Sequence, residues 1–172
     1  MIIEAKNWRT FEIIENNEVK GTLAYKNMFM ASADIHTVKE GYYSLKWLFS
    51  FLVPKYRITQ NDRETIKLNM NWKGNFSITM ENGVEYKSVS KGFFKRRTFI
   101  ENQESRELIE ISQKYNWKRW RYNYEIENSE TPQNDLLSLI AVYALNYQQQ
   151  YQMGIMVLVI MLCNIIINLN NL

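Results

Sequence analysis

One cysteine and one histidine among 172 residues remove several classes of chemistry at once. A single thiol, Cys163, excludes an internal disulfide and a cysteine-based zinc site. Set inside an apolar run, it reads as a small hydrophobe. A single imidazole, His36, excludes a two-histidine metal site, and any Ser/His/Asp arrangement would have to use it. Nothing adjacent in sequence would activate a nucleophile, so His36 reads as a hydrogen-bonded residue at a strand end. Charge is missing from one whole region: no Asp, Glu, Lys, Arg or His occurs between Leu136 and Leu172. The chain therefore reads as a polar body with an apolar tail. Glycine-rich phosphate loops, metal-ligand spacings, oxygen-rich calcium loops and cysteine clusters for lipid attachment are all missing. The amino-terminal MIIEAKNWRTFEII alternates and carries charge, and the expectation is that it is not a secretory signal.

What is present is a long series of short alternating segments. TFEIIE, VKGTLAY, NMFMASADI, KYRITQ, ETIKLNM, NFSITM and VEYKSV have period two and are separated by polar turns such as NNE, NDR and ENG. Asn82-Gly83 supplies the positive φ angles that a tight hairpin demands. FFKRRTFI, SRELIEIS and WKRWRYNYEI continue the series. Strands recurring at this spacing predict one antiparallel, mainly β domain, a barrel or a sandwich, since the length suits a single core.

An internal repeat supports a closed sheet. ETIKLNMNWKG from Glu64 is echoed by ELIEISQKYNWKR from Glu107, 43 residues later. Two copies are too few for a solenoid, so duplicated halves of one sheet are expected. After residue 130 the pattern changes. Residues 131–152 read as a linker around Pro132 followed by a helix that Asn134 or Asp135 can cap. LLSLIAVYALNY is apolar on almost every face, and such a helix must be buried in protein or lipid.

Short strands together with NWKGNFSI, with KGFFKRRTFI leading into RELIEI, and with a near-terminal helix like DLLSLIAVYALNY resemble the tubby-like superfamily. Within it, the closest likeness is to the LURP-one-related and phospholipid-scramblase branch. It covers roughly residues 1–150 and rests on pattern and helix position. The resemblance implies a closed antiparallel barrel of about twelve strands around a hydrophobic helix. Leu136, Leu137, Leu139, Ile140, Val142, Tyr143 and Leu145 would then plug the barrel. A dozen residues are too short to span a bilayer, which needs about 20, and this agrees with a plug. Members of the superfamily do unrelated things on one fold.

Residues 153–172 look like an addition to that barrel. Met153 to Ile167, as a helix, would extend about 22 Å, short of the ~30 Å hydrocarbon core, a shortfall that local thinning or association can meet. Two readings follow: membrane insertion of 153–167, or a strand or helix packed on the barrel or in a dimer. Insertion with the basic residues on the body side would leave the body cytoplasmic.

The strongest polar cluster is basic. KGFFKRR gives Lys91, Lys95, Arg96 and Arg97; WKRWR gives Lys118, Arg119 and Arg121, interleaved with Trp117 and Trp120. On neighbouring strands these cations would share one face and attract anionic lipid. The bland alternative is a solvated wall screened by nearby glutamates. Nucleic acid is disfavoured by Glu101, Glu104, Glu107 and Glu110 close by and by a net charge of only +3. Asp62 and Glu64 read as solvated turn carboxylates. Neither a catalytic residue nor a metal nor a cofactor is expected.

The functional expectation is a non-catalytic module that binds anionic lipid or a protein partner at the cytoplasmic membrane face. Two alternatives stand beside it: a soluble homo-oligomeric interaction domain with the tail buried in its interface, and a carrier of a small apolar ligand inside the barrel.

Overall fold

In the computed structural model the described residues are 1–27, 31–48, 54–71, 75–91, 97–118, 121–128 and 134–170; for 121, 128, 151–159 and 165–170 only the backbone is described. Twelve strands are β1 Ile2–Ala5, β2 Thr10–Glu15, β3 Glu18–Tyr25, β4 Ser32–Thr37, β5 Gly41–Leu48, β6 Lys55–Gln60, β7 Arg63–Met70, β8 Phe76–Met80, β9 Glu85–Lys91, β10 Arg97–Glu101, β11 Glu107–Asn116 and β12 Arg121–Asn128. One long helix, α1, runs from Asp135 to Asn170.

Each strand pairs antiparallel with its sequence neighbour, and β1 pairs with β12 to close the barrel. Closure removes both sheet edges. The amino-terminal ammonium donates to the Ile126 carbonyl at 3.1 Å and fastens β1 to β12. Two hairpins turn on left-handed pairs, Asn16-Asn17 and Asn61-Asp62, while Gly83 has φ 82°. Asn and Asp tolerate this conformation because their short polar side chains bond locally.

Period-two patterning is visible directly: Phe11 and Ile13 of β2, Leu23 of β3, Ile35 of β4, and Ile58 of β6 point inward and are fully buried. They close on α1. Asn134 caps the helix, its Oδ1 accepting from the Leu137 amide at 2.8 Å. Leu136, Leu137, Leu139, Ile140, Val142, Tyr143 and Leu145 are all buried in the barrel core, so the sequence-predicted plug is where it was expected. Gly21 lets the helix approach β3: a Cβ there would meet Leu139 Cδ1 at 3.1 Å and the His36 carbonyl oxygen at 3.2 Å.

Two expectations need correction. The tail is not a separate element, because α1 continues through residues 147–152 without a break. The glutamines there are good helix formers, and Gln149 donates to Gln113 of β11 at 2.8 Å. The repeat does not mark half-barrels either: its copies fall on β7 and β11, four positions apart in a ring of twelve. It marks strands of one direction, each followed by Asn-Trp-Lys.

Candidate functional site

Alternate connectors of an up-and-down barrel share an end, so the strand order defines two rims. α1 starts at one of them, which we call the inlet rim: Asp135 Oδ2 lies 3.7 Å from Lys39 Nζ in the β4–β5 connector. It leaves at the opposite, exit rim. There Tyr143 stacks on Tyr25 of β3 at 5.5 Å, and Tyr56 of β6 meets Tyr143 and Tyr147 edge-on at 5.4 and 5.2 Å. Burial pushes the phenols of Tyr56 and Tyr143 well above their ordinary titration range.

Past this aromatic collar, α1 leaves the barrel. The helix has 36 residues and so extends about 54 Å, far more than the barrel can enclose. Residues 160–164 are all exposed. Because each residue advances about 100° around the axis, five in a row cover the whole circumference. No face of the helix touches the barrel at that height. The side chains bared there include Ile160, Met161 and Leu162, each more than half exposed, with Cys163 beside them. The thiol lies outside the barrel, because the segment carrying it projects. Among the described residues no helix is long and apolar enough to cross a membrane.

The sequence-predicted basic residues separate into two groups. Lys91 ends β9 and pairs with Glu107 and, at 3.6 Å, with Glu101; Arg97 opens β10 and holds Glu110 at 2.7 Å. Bonding to Glu107 raises the Lys91 pKa. The register of β10 and β11 brings Glu110 close to Arg97, whereas the Lys91 side chain runs along the sheet over the Phe99 ring to reach Glu101 and Glu107. Lys118 is exposed in the β11–β12 turn beside Trp117, which is 74 % exposed. Lys95 and Arg96, Arg119, and the side chain of Arg121 lie outside the described residues. The two clusters do not share a face of adjacent strands, because β11 separates β10 from β12. Their described members Lys91, Arg97 and Lys118 stand at or beside the exit ends of their strands instead.

His36 lies against the Tyr42 ring at 4.1 Å on the outer wall. Glu64 pairs with Arg57 at 2.5 Å and with Lys67 at 3.6 Å. Among the described residues no group of three His, Cys, Asp or Glu side chains is placed to hold a metal ion. The barrel interior is occupied by α1, with Leu139, Ile140, Val142 and Tyr143 fully buried. Comparison of the chain with protein-family models, with curated proteins and with solved structures finds no match.

Proposed function

We propose that this protein is a non-catalytic, tubby-like module held at the cytoplasmic face of a membrane by the projecting half of α1, where it binds anionic lipid or a protein partner. One observation carries the reading: an apolar helix leaves a filled barrel and is bare around its full circumference at Ile160, Met161 and Leu162. Burying apolar surface contributes about 25 cal/mol per Å², so such a segment is covered wherever the protein works. Its apolarity on nearly every side, interrupted by Asn164, fits lipid, which presents the same surface all round. A protein groove would cover one face and favour a polar stripe on the other.

The apolar run Met153–Ile167 reaches about 22 Å. It enters the hydrocarbon layer without crossing a full-thickness bilayer, or meets a thinned one. The carrier alternative has no observation in its favour, since the plug helix fills the space a ligand would need.

The test is retention in membranes washed with alkaline carbonate, comparing the full chain with one ending at Gln152. Retention of the full chain and release of the shorter one is the expected result. Release of both chains, the full chain as a discrete dimer and the shorter one as a monomer, would favour a homo-oligomer with the tail in its interface.

A further inference from the structure

Among the described residues the exit rim carries no acidic residue. Its connectors there hold Lys6, Arg9, Lys26 and Lys118, and neither Asp nor Glu. The strand residues that border them add Lys55, Arg97 and Arg121, again without an acid; Lys91 also ends its strand there, but its side chain leans back along the wall and its ammonium bonds Glu107 and Glu101. The inlet rim is the reverse. Glu15, Glu18, Glu85, Glu101 and Glu107 end or begin strands there, beside Arg63, and among the described residues its connectors hold Glu40, Asp62, Glu81 and Glu104 against Lys39 and Arg106. The barrel is therefore polarised along its axis, basic where the apolar helix emerges and acidic where it enters.

Tryptophan follows the same division. Of the five tryptophans in the chain, Trp8 and Trp117 are exposed in exit-rim connectors and Trp47 is exposed at the exit end of β5. Trp72 and Trp120 lie outside the described residues. Trp47 is instructive, because it has the inward parity of Tyr43 and Leu45 yet is 43 % exposed. It pairs in register with Tyr56 of the aromatic collar, near the exit end of β5. Three cations of the rim, Arg9, Lys55 and Lys118, are exposed and make no ion pair among the described residues. Arg9 instead lies over the Trp8 ring at 4.6 Å.

From this juxtaposition we infer that the exit rim is a docking surface for an anionic lipid bilayer, with the barrel axis upright, the tryptophans at the headgroup boundary and the acidic inlet rim facing away. The inference rests on the membrane reading of α1 and adds what that reading leaves open: which surface meets the lipid, and which lipids it selects. Each part has a physical reason. Basic residues near a negatively charged leaflet attract it individually. Indole rings partition to the interface because they combine an apolar body with one donor. Acidic residues at the opposite pole are repelled, which fixes the orientation. A nucleic acid would meet the same cations, but not with an apolar helix rising through their centre.

The experiment presents the full chain, transferred from mild detergent, to vesicles of pure phosphatidylcholine and to vesicles containing phosphatidylserine, and measures partition by flotation. The variant is R9E/K55E/K118E, which reverses three exposed cations that make no ion pair among the described residues. The wild type is expected to prefer the phosphatidylserine vesicles. The variant is expected to bind phosphatidylcholine like the wild type, which shows it to be folded with its tail intact. It should lose about two orders of magnitude of partition to the anionic vesicles. Tryptophan emission supplies an independent readout: it should shift to the blue on binding and be quenched by lipids brominated near the headgroup. Equal partition of the wild type to both vesicles, or a variant that keeps the preference, overturns the rim and leaves the tail anchor standing. Failure of the full chain to bind either vesicle overturns the membrane reading and the rim with it.

Discussion

The hydroxyl of Tyr124 on β12 donates a hydrogen bond to Oδ1 of Asn146 on α1 at 2.8 Å, with both side chains buried. This is the polar tie between the barrel wall and the helix just before the helix reaches the exit rim. Its removal on one side leaves a buried amide oxygen without its donor, which costs more than the bond itself contributes. Tyr124→Phe is expected to lower stability by about 1–3 kcal/mol. Adding Asn146→Leu to Tyr124→Phe removes the orphaned amide and should restore most of the loss. Urea denaturation of the full chain in mild detergent measures both.

Gly21 lies where α1 packs closely against β3. A methyl at this position meets the His36 carbonyl oxygen at 3.2 Å, and a backbone atom inside a paired strand gives way poorly. Gly21→Val is expected to destabilise by about 1–3 kcal/mol through overpacking, with a lowered thermal midpoint. If the midpoint does not move, the helix does not sit as tightly against β3 as the distances require.

The tyrosine collar makes stability sensitive to alkali. Burial raises the pKa of Tyr56, Tyr143 and Tyr43 in the folded state. In the unfolded chain each titrates near about 10. Below that value the folded and unfolded states hold the same protons, and the contribution of these groups to stability is fully present. Above it the unfolded chain ionises first, so stability falls as pH rises. Absorbance at 295 nm should show the exposed tyrosines titrating reversibly, followed by a cooperative step in which the buried phenols ionise as the barrel opens.

Much of this architecture was legible before any coordinates. TFEIIE and KYRITQ match β2 and β6 residue for residue, because a closed barrel with one buried face writes a strict alternation. β5 escaped notice: Tyr42 and Tyr43 put aromatic rings on both parities, and Lys46 stands beside Trp47 near the exit end. The plug was readable from its uniform apolarity. The helix end was not, because YQQQYQ looks like a boundary until Gln149 is seen to find Gln113. The exit rim was readable only in two fragments, KGFFKRR and WKRWR. Its other cations sit one or two to a connector, and only the up-and-down strand order gathers alternate connectors at one end.

The central claim is that the projecting half of α1 lies in lipid, and the chain carries its own probe for it. Cys163 is the only cysteine and is exposed on the bare segment, about 14 Å along the helix from Gly154. A bimane attached to this thiol should be quenched by phosphatidylcholine carrying a nitroxide deep in its acyl chain, and should be shielded from aqueous iodide. Quenching by iodide with no effect from the lipid-borne nitroxide would place the segment in water and contradict the account. Shielding from both quenchers would place it in a protein interface, and that too would contradict it.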